Sequence, residues 1–303
     1  MKGLDLKPAL GHLGQDKLWK VRLESTLEDV VQGWALENLK PFENLSFNFV
    51  ARAKRNDGSS VVLKIGDPTE LGSEMDALLH YGGVGCVRLL EQNREQGAFL
   101  LERIEPGILL SSVQDEDESV QIACAVMKKL HKPPPQQHSF FTLERWLRSL
   151  FQYRTRFAGQ NNPIPSDLLE RAELYAVDLL ASQVAPVVLH GDLHHFNLLS
   201  NAAKGWTAID PKGLVGERAF EVGPFFYNPS PQIFSHPDLE RVLSRRLDVF
   251  AETLELDRER LRQWAFIQGV LSACWTLEAT LENGGAPEVK GVLRVARSLS
   301  SSR

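Results

Sequence analysis

Apolar and charged positions recur at helical spacing over residues 8–34, which predicts one or two helices there. The period then shortens. Two apolar-rich runs, residues 46–53 (SFNFVARA) and 59–66 (SSVVLKIG), flank the tight-turn signal Asn56-Asp57-Gly58 and predict a hairpin. Residues 67–83 begin on Asp67-Pro68 and stop on Gly82-Gly83, which predicts a helix inserted after that hairpin. A second hairpin is expected from VRLLEQ (87–92) and AFLLER (98–103). From residue 104 the apolar period becomes helical. Residues 115–132 carry acids at their start and bases at their end, as the helix dipole favours, and the prolines at 133–135 break the pattern. Further amphipathic helices are expected at 141–157, 166–183, 236–254 and 257–284, the last with an Asp257 cap and a glycine stop. The fold class that follows is α+β. A small, antiparallel β-rich N-terminal lobe with one inserted helix (residues 1–103, including a helical extension) precedes a larger, mainly helical lobe (104–303).

One stretch breaks the helical pattern with chemistry. VVLHGDLHHFNLLSNAAKGWTAIDPKG, residues 187–213, places three histidines, two aspartates and two asparagines between short apolar runs. His190 and His194 have the i, i+4 spacing of a helix-borne zinc pair, which needs a helix and a glutamate directly after the first histidine. The preceding APVVL reads instead as a strand, Gly191 suits a turn, and the glutamate is missing. The alternative is phosphoryl transfer. Asp192 and Asn197 stand five residues apart in a loop between two strand-like runs, and Asp210 ends a third such run thirteen residues later. A kinase loop uses such an aspartate to accept the proton of the attacking hydroxyl, and such an asparagine to bind Mg²⁺. A hard cation that keeps several waters is satisfied by one amide oxygen and one carboxylate, so Asn197 and Asp210 suffice as its ligands. Upstream, Lys64 lies among apolar strand residues and Glu74 on the inserted helix ten residues on, an arrangement suited to a phosphate-contacting lysine held by an ion pair.

Composition narrows the classes. A net charge of −5 gives no bulk electrostatic case for nucleic acid as partner. Cys86, Cys124 and Cys274 are too widely spaced for a thiolate zinc site or a disulfide framework. No run approaches the roughly 18 apolar residues of a spanning helix. The first twenty residues lack a secretory apolar segment. A cytoplasmic protein with no membrane partner is therefore expected.

The segments VLHGDLHHFNLL…WTAIDPKGLVGE, AIDPKGLVGERAFEVGPFFYNP, FLLERIEPG and MKKLHKPP together resemble the aminoglycoside phosphotransferases, most closely the branch with streptomycin 6-phosphotransferases and hydroxyurea phosphotransferases. The resemblance runs from about residue 30 to 280 and is densest in 187–229. It implies a bilobal, protein-kinase-like fold with ATP between the lobes, Mg²⁺, and a small-molecule hydroxyl as acceptor. Position by position, it implies Asp192 as catalytic base and Asn197 and Asp210 as magnesium ligands. Lys64 would meet the α- and β-phosphates, held by Glu74, and the main chain of Glu102 and Ile104 would meet adenine. Glu221 stands where relatives commonly carry an aspartate and would brace the loop.

Two departures stand out. The expected phosphate-covering segment, residues 40–48, holds no glycine, so Ser46, Asn44 or Asn48 would supply contacts by side chain. The metal-binding aspartate is followed by Pro211-Lys212-Gly213, which stiffens the segment against a flipping activation switch, and no Ala-Pro-Glu element follows. Both features argue against a protein substrate. Carboxylates for a cationic acceptor are sought in Glu217, Asp238, Glu278 and Glu282, and an aromatic wall in Trp264, Phe266 and Trp275, each of which is equally read as ordinary helix surface or core. Kinases of sugars or amino alcohols, and a catalytically silent nucleotide-binding protein, remain open at this point.

Overall fold

The computed structural model of the chain describes residues 17–43, 48–158, 163–284 and 288–301. It forms two compact units, Met1–Glu105 and Pro106–Arg303.

In the first unit, helix α1 (Lys17–Gly33) precedes five antiparallel strands: β1 (Leu36–Pro41), β2 (Phe49–Arg55), β3 (Ser60–Ile65), β4 (Leu89–Asn93) and β5 (Ala98–Glu102). Their order in the sheet is β1-β2-β3-β5-β4. Strand β1 was not expected from the sequence, because LENLKP alternates poorly and only Leu36 is buried. Leu23, Leu27 and Val30 of α1 bury themselves on Phe49, Ala51, Leu63, Ile65 and Leu100, one face of the sheet. The expected β2–β3 turn forms as Asp57 Oδ1 accepts from the Ser59 N–H at 2.9 Å, with Gly58 at φ 83°. Helix α2 (Pro68–Tyr81) follows β3 as predicted. Asp67 caps it through the Thr69 N–H, Pro68 occupies the first turn, and Gly82 ends it in the left-handed conformation.

The second unit opens with a strand where helical periodicity was expected: β6 (Pro106–Leu109) pairs with β9 (Leu198–Asn201), which pairs with β10 (Gly205–Ala208). Helix α3 (Glu116–Leu130) carries its predicted charge gradient and an Asp115 cap on the Glu118 N–H at 2.9 Å. The single helix expected at 141–157 is instead a two-residue strand β7 (Phe141–Thr142), then α4 (Leu143–Trp146) and α5 (Arg148–Arg156). The break falls at Leu147, whose ψ of 5° departs from the helix. Helix α6 (Ser166–Ala181) leads to β8 (Val187–Leu189), which pairs antiparallel with β11 (Leu214–Gly216). A 3₁₀ segment (Arg218–Tyr227) then precedes α7 (Leu239–Leu254), α8 (Arg258–Asn283) and α9 (Lys290–Ser301). Helix α8 packs against α6, α9 and the 3₁₀ segment. Trp264 and Phe266 are fully buried there, so they build the core rather than a substrate wall. The helix lengths and apolar faces give no membrane span: among the described residues, no helix is long and apolar enough to cross one.

Candidate active site

In the second unit, two short sheets hold one loop. Strand β8, buried at all three positions, delivers the chain to His190, and β9 takes it away after Asn197. The loop can turn so sharply because residue 191 is glycine. Its φ is 82°, and a Cβ there would meet Leu214 Cδ1 at 2.7 Å and Cγ at 2.8 Å. Glu221, fully buried on the 3₁₀ segment, accepts the main-chain N–H of His190 at 2.7 Å and of Gly191 at 2.8 Å. Its carboxylate is held below the usual range. Burial alone would raise it, but the Gly191 amide and the imidazole of His131 outweigh that. His131 Nε2 stands 3.6 Å from Glu221 Oε2, beyond hydrogen-bond length.

His190 is a brace. Its Nδ1 accepts the Asp192 N–H at 3.2 Å, so Nε2 carries the proton and donates to the Ile209 carbonyl at 2.8 Å. Both nitrogens are thereby spent, and the zinc pair is not available. Burial, only partly offset by Glu221 and Asp192, lowers its pKa and keeps the ring neutral. His195 is more extreme. Burial and the nearby Arg246 charge push its pKa down to about 2, and its ring lies 4.0 Å from that of Phe225, centroid to centroid. Arg246 in turn donates to the Phe225 and Asn228 carbonyls at 2.8 Å each and pairs with Glu116. Neither residue had a local sequence signal, since Arg246 reaches partners 18 to 130 positions away.

The remaining loop groups face outward from this scaffold. Asn197 Nδ2 donates to the Asp192 main-chain carbonyl at 2.8 Å, which leaves the amide oxygen without a protein donor among the described residues. The Ile209 N–H donates to the Asn197 carbonyl at 2.9 Å, tying the end of β10 to the loop. Asp210 follows with φ 62°, the left-handed region that is costly for a side chain other than glycine and is characteristic of functional positions. One amide oxygen and one half-buried carboxylate form a donor set that fits a Mg²⁺ keeping its remaining waters. The carboxylate of Asp192 accepts no hydrogen bond among the described residues; His194 Nε2 and Lys212 Nζ each approach one oxygen to 3.6 Å. His194 Nδ1 lies 3.2 Å from the Phe196 main-chain nitrogen and its Nε2 lies 3.3 Å from Asn197 Nδ2, and burial lowers its pKa.

In the first unit, Lys64 and Glu74 meet as expected. The ammonium donates to both carboxylate oxygens, at 2.9 and 2.8 Å, with side chains only 5 % and 9 % exposed. Lys64 Nζ also lies 5.8 Å from the centre of the Phe99 ring. Glu102 ends β5, opposite Val61 of β3, its N–H donating to the Arg88 carbonyl at 3.0 Å and its carboxylate accepting the Arg88 N–H at 2.9 Å. Ile104, two residues on, is buried. Ser46 and Asn44 lie outside the described residues. Asn48 packs its amide oxygen into the space a Cβ on Gly66 would need.

Three of the acids considered for a cationic acceptor, Glu217, Glu278 and Asp238, have partners of their own. Glu217 is buried, accepting from Arg260 Nε at 2.6 Å and from the Trp264 indole. Glu278 pairs with Arg156 at 2.6 Å and accepts from Ser149 at 2.8 Å. Asp238 faces Arg241 at 3.4 Å, and the Glu282 side chain lies outside the described residues. Trp275 stands edge-on to Trp146, 5.2 Å between centroids.

Residues 33–280 match the sequence profile of the aminoglycoside/hydroxyurea antibiotic resistance kinase family. A streptomycin 6-kinase of Streptomyces griseus is 30 % identical over 275 residues, 87 % of this chain and 86 % of that protein. A hydroxyurea phosphotransferase of Kitasatospora aureofaciens is 29 % identical over 84 % of this chain and 74 % of its own length. The same fold is found in an amicoumacin kinase solved with AMP-PNP and Ca²⁺, at 16 % identity and a TM-score of 0.64, covering 94 % of this chain and 96 % of that one. By the profile match over most of its length, the chain belongs to the aminoglycoside/hydroxyurea antibiotic resistance kinase family.

Proposed function

We propose that this chain transfers the γ-phosphoryl group of ATP to a hydroxyl of a streptomycin-like aminoglycoside or of hydroxyurea, in the cytoplasm, with Asp192 as catalytic base. The observation that carries the reading is the Asp192 carboxylate, braced at its backbone by His190 and Asn197 yet accepting no hydrogen bond at its own oxygens. Such a group is positioned to take the proton of an incoming hydroxyl. Asn197 and Asp210 would hold Mg²⁺, which neutralises phosphate charge during transfer. Lys64, fixed by Glu74, contacts the α- and β-phosphates, and the main chain of Glu102 and Ile104 meets adenine. In this assignment residues 1–103 carry nucleotide binding and 104–303 catalysis and acceptor binding. The acceptor class is supported by relatives named for streptomycin and hydroxyurea at 30 % and 29 % identity.

The test is ATP consumption across streptomycin, other aminoglycosides, hydroxyurea, sugars and amino alcohols. Streptomycin or hydroxyurea should raise turnover well above the acceptor-free rate. A preferred sugar or amino alcohol would overturn the acceptor assignment. Lys64→Met should raise KM for ATP by about tenfold to a hundredfold, the worth of a charge-assisted phosphate contact, while the KM of the acceptor changes little. Steady-state kinetics with each substrate varied in turn checks this, and an unchanged KM for ATP removes Lys64 from the phosphate site.

A further inference from the structure

Two buried polar atoms on neighbouring helices of the second unit lack a hydrogen-bond partner among the described residues: Gln268 Oε1 on α8 and Trp146 Nε1 on α4. Helix α8 presents Trp264, Gln268 and Trp275 along one face, because steps of four and seven residues return to the same side of a helix. That face climbs out of the core: Trp264 is fully buried, Gln268 is 7 % exposed and Trp275 is half-buried. Gln268 rests on Gly223, where a Cβ would meet its Cβ at 2.9 Å and its Cγ at 3.2 Å. Gly223 stands on the 3₁₀ segment, two residues after the Glu221 that holds the His190 and Gly191 amides.

Helix α4 is tied to the same scaffold. It follows β7, a strand of the sheet that also holds β8 and β11, and its first residue, Leu143, occupies the space that a Cβ on Gly216 would need. Its last residue, Trp146, is half-buried and stands edge-on to Trp275, 5.2 Å between centroids. Unpaired polar atoms are uncommon in a protein interior and call for a further partner. One of these two is an acceptor and the other a donor, so a ligand bearing hydroxyls answers both: an O–H or N–H for the Gln268 oxygen, an oxygen lone pair for the Trp146 indole. The two half-buried indoles add apolar surface with a polar tip. Such surface is covered by the C–H groups of a ring. Hydroxyurea has no C–H group.

We propose that Trp146, Gln268 and Trp275 form an acceptor subsite that selects a hydroxylated ring, the cyclitol or sugar of an aminoglycoside, over hydroxyurea. The ring lies against the two indoles, while its polar groups donate to Gln268 Oε1 and accept from the Trp146 N–H. Both indoles are reached from solvent, and rotation of either one opens the enclosed N–H to the ligand. The inference rests on the acceptor reading given above and deepens it. The three residues determine specificity and take no part in the transfer itself.

The test uses Gln268→Met and Trp146→Phe, each of which removes the polar atom and keeps most of the bulk. Replacing an unpartnered buried atom by an apolar one is nearly neutral or stabilising for the fold, so Gln268→Met should melt with the unaltered protein or above it. That variant carries the test should Trp146→Phe, which loses ring volume, fold poorly. In each, the KM for streptomycin should rise about fivefold to tenfold, the worth of one neutral hydrogen bond. The kcat and the KM for ATP should stay within about twofold. Calorimetric titration with streptomycin and with hydroxyurea reads the same factors without turnover. Hydroxyurea should lose less than streptomycin does, or be no ligand at all. A streptomycin KM and Kd within about twofold in both variants, or an equal loss for hydroxyurea, overturns the inference. If the unaltered protein phosphorylates streptomycin meanwhile, the subsite alone is discarded. Streptomycin bound in a Gln268- and Trp146-dependent way yet never phosphorylated keeps the subsite and removes the transfer reading. Streptomycin neither bound nor phosphorylated removes both.

Discussion

Replacing Asp192 with alanine is expected to lower kcat about a thousandfold, the central range for loss of a positioned general base. ATP affinity should stay within about twofold, because the base acts on the hydroxyl and not on the nucleotide. The scaffold supports so clean a separation. The Asp192 main chain is held by the His190 ring at 3.2 Å and by Asn197 Nδ2 at 2.8 Å, contacts that a side-chain truncation leaves in place. The carboxylate itself is one-third exposed and accepts no hydrogen bond from the described residues, so its removal orphans no buried donor. Steady-state kinetics with a parallel nucleotide titration distinguishes the outcomes. A large rise in Kd for ATP would place Asp192 in the nucleotide site, and unchanged turnover would exclude it as base.

The second large effect is on stability. Glu221→Ala should leave two buried main-chain N–H groups, those of His190 and Gly191, without their acceptor. Each such loss costs about 1–3 kcal/mol, so a fall of about 3 kcal/mol or more is expected, which at this chain length lowers Tm by about 6–12 °C. Calorimetry or circular dichroism melting reads it directly. Glu221→Gln keeps one acceptor oxygen and should lose roughly half as much. The wild type should also show an acid dependence that Glu221→Gln lacks. Because the folded-state pKa lies below the ordinary 4.5, the ionised carboxylate stabilises the fold fully above that pH. The contribution then fades as pH falls through the folded value. A Glu221→Ala protein that melts with the wild type would show that the loop is held by other means.

What could be read from the sequence alone follows the range over which each signal acts. The β2–β3 turn, the ends of α2, the charge gradient of α3, the Asp257 cap of α8 and the Asp192–Asn197–Asp210 spacing are local, each written within about twenty residues, and each was legible. The Lys64–Glu74 pair was legible because a helix directly after β3 brings residues ten apart together. Signals between distant segments were not. Glu217 reads as a surface acid until Arg260 and Trp264, 43 and 47 positions on, enclose it. Strand β6 was hidden because Pro106 and Gly107 mask a segment whose pairing partners on β9 lie 90 and 95 positions away.

The most direct measurement is mass spectrometry of the acceptor after incubation with ATP, Mg²⁺ and the purified protein, with Asp192→Asn as control. Phosphoryl transfer to a hydroxyl predicts streptomycin or hydroxyurea carrying one added HPO₃, formed in step with ADP and absent with Asp192→Asn. Acceptor recovered unmodified while ATP is hydrolysed to free phosphate, or modified equally by the Asp192→Asn protein, would contradict it.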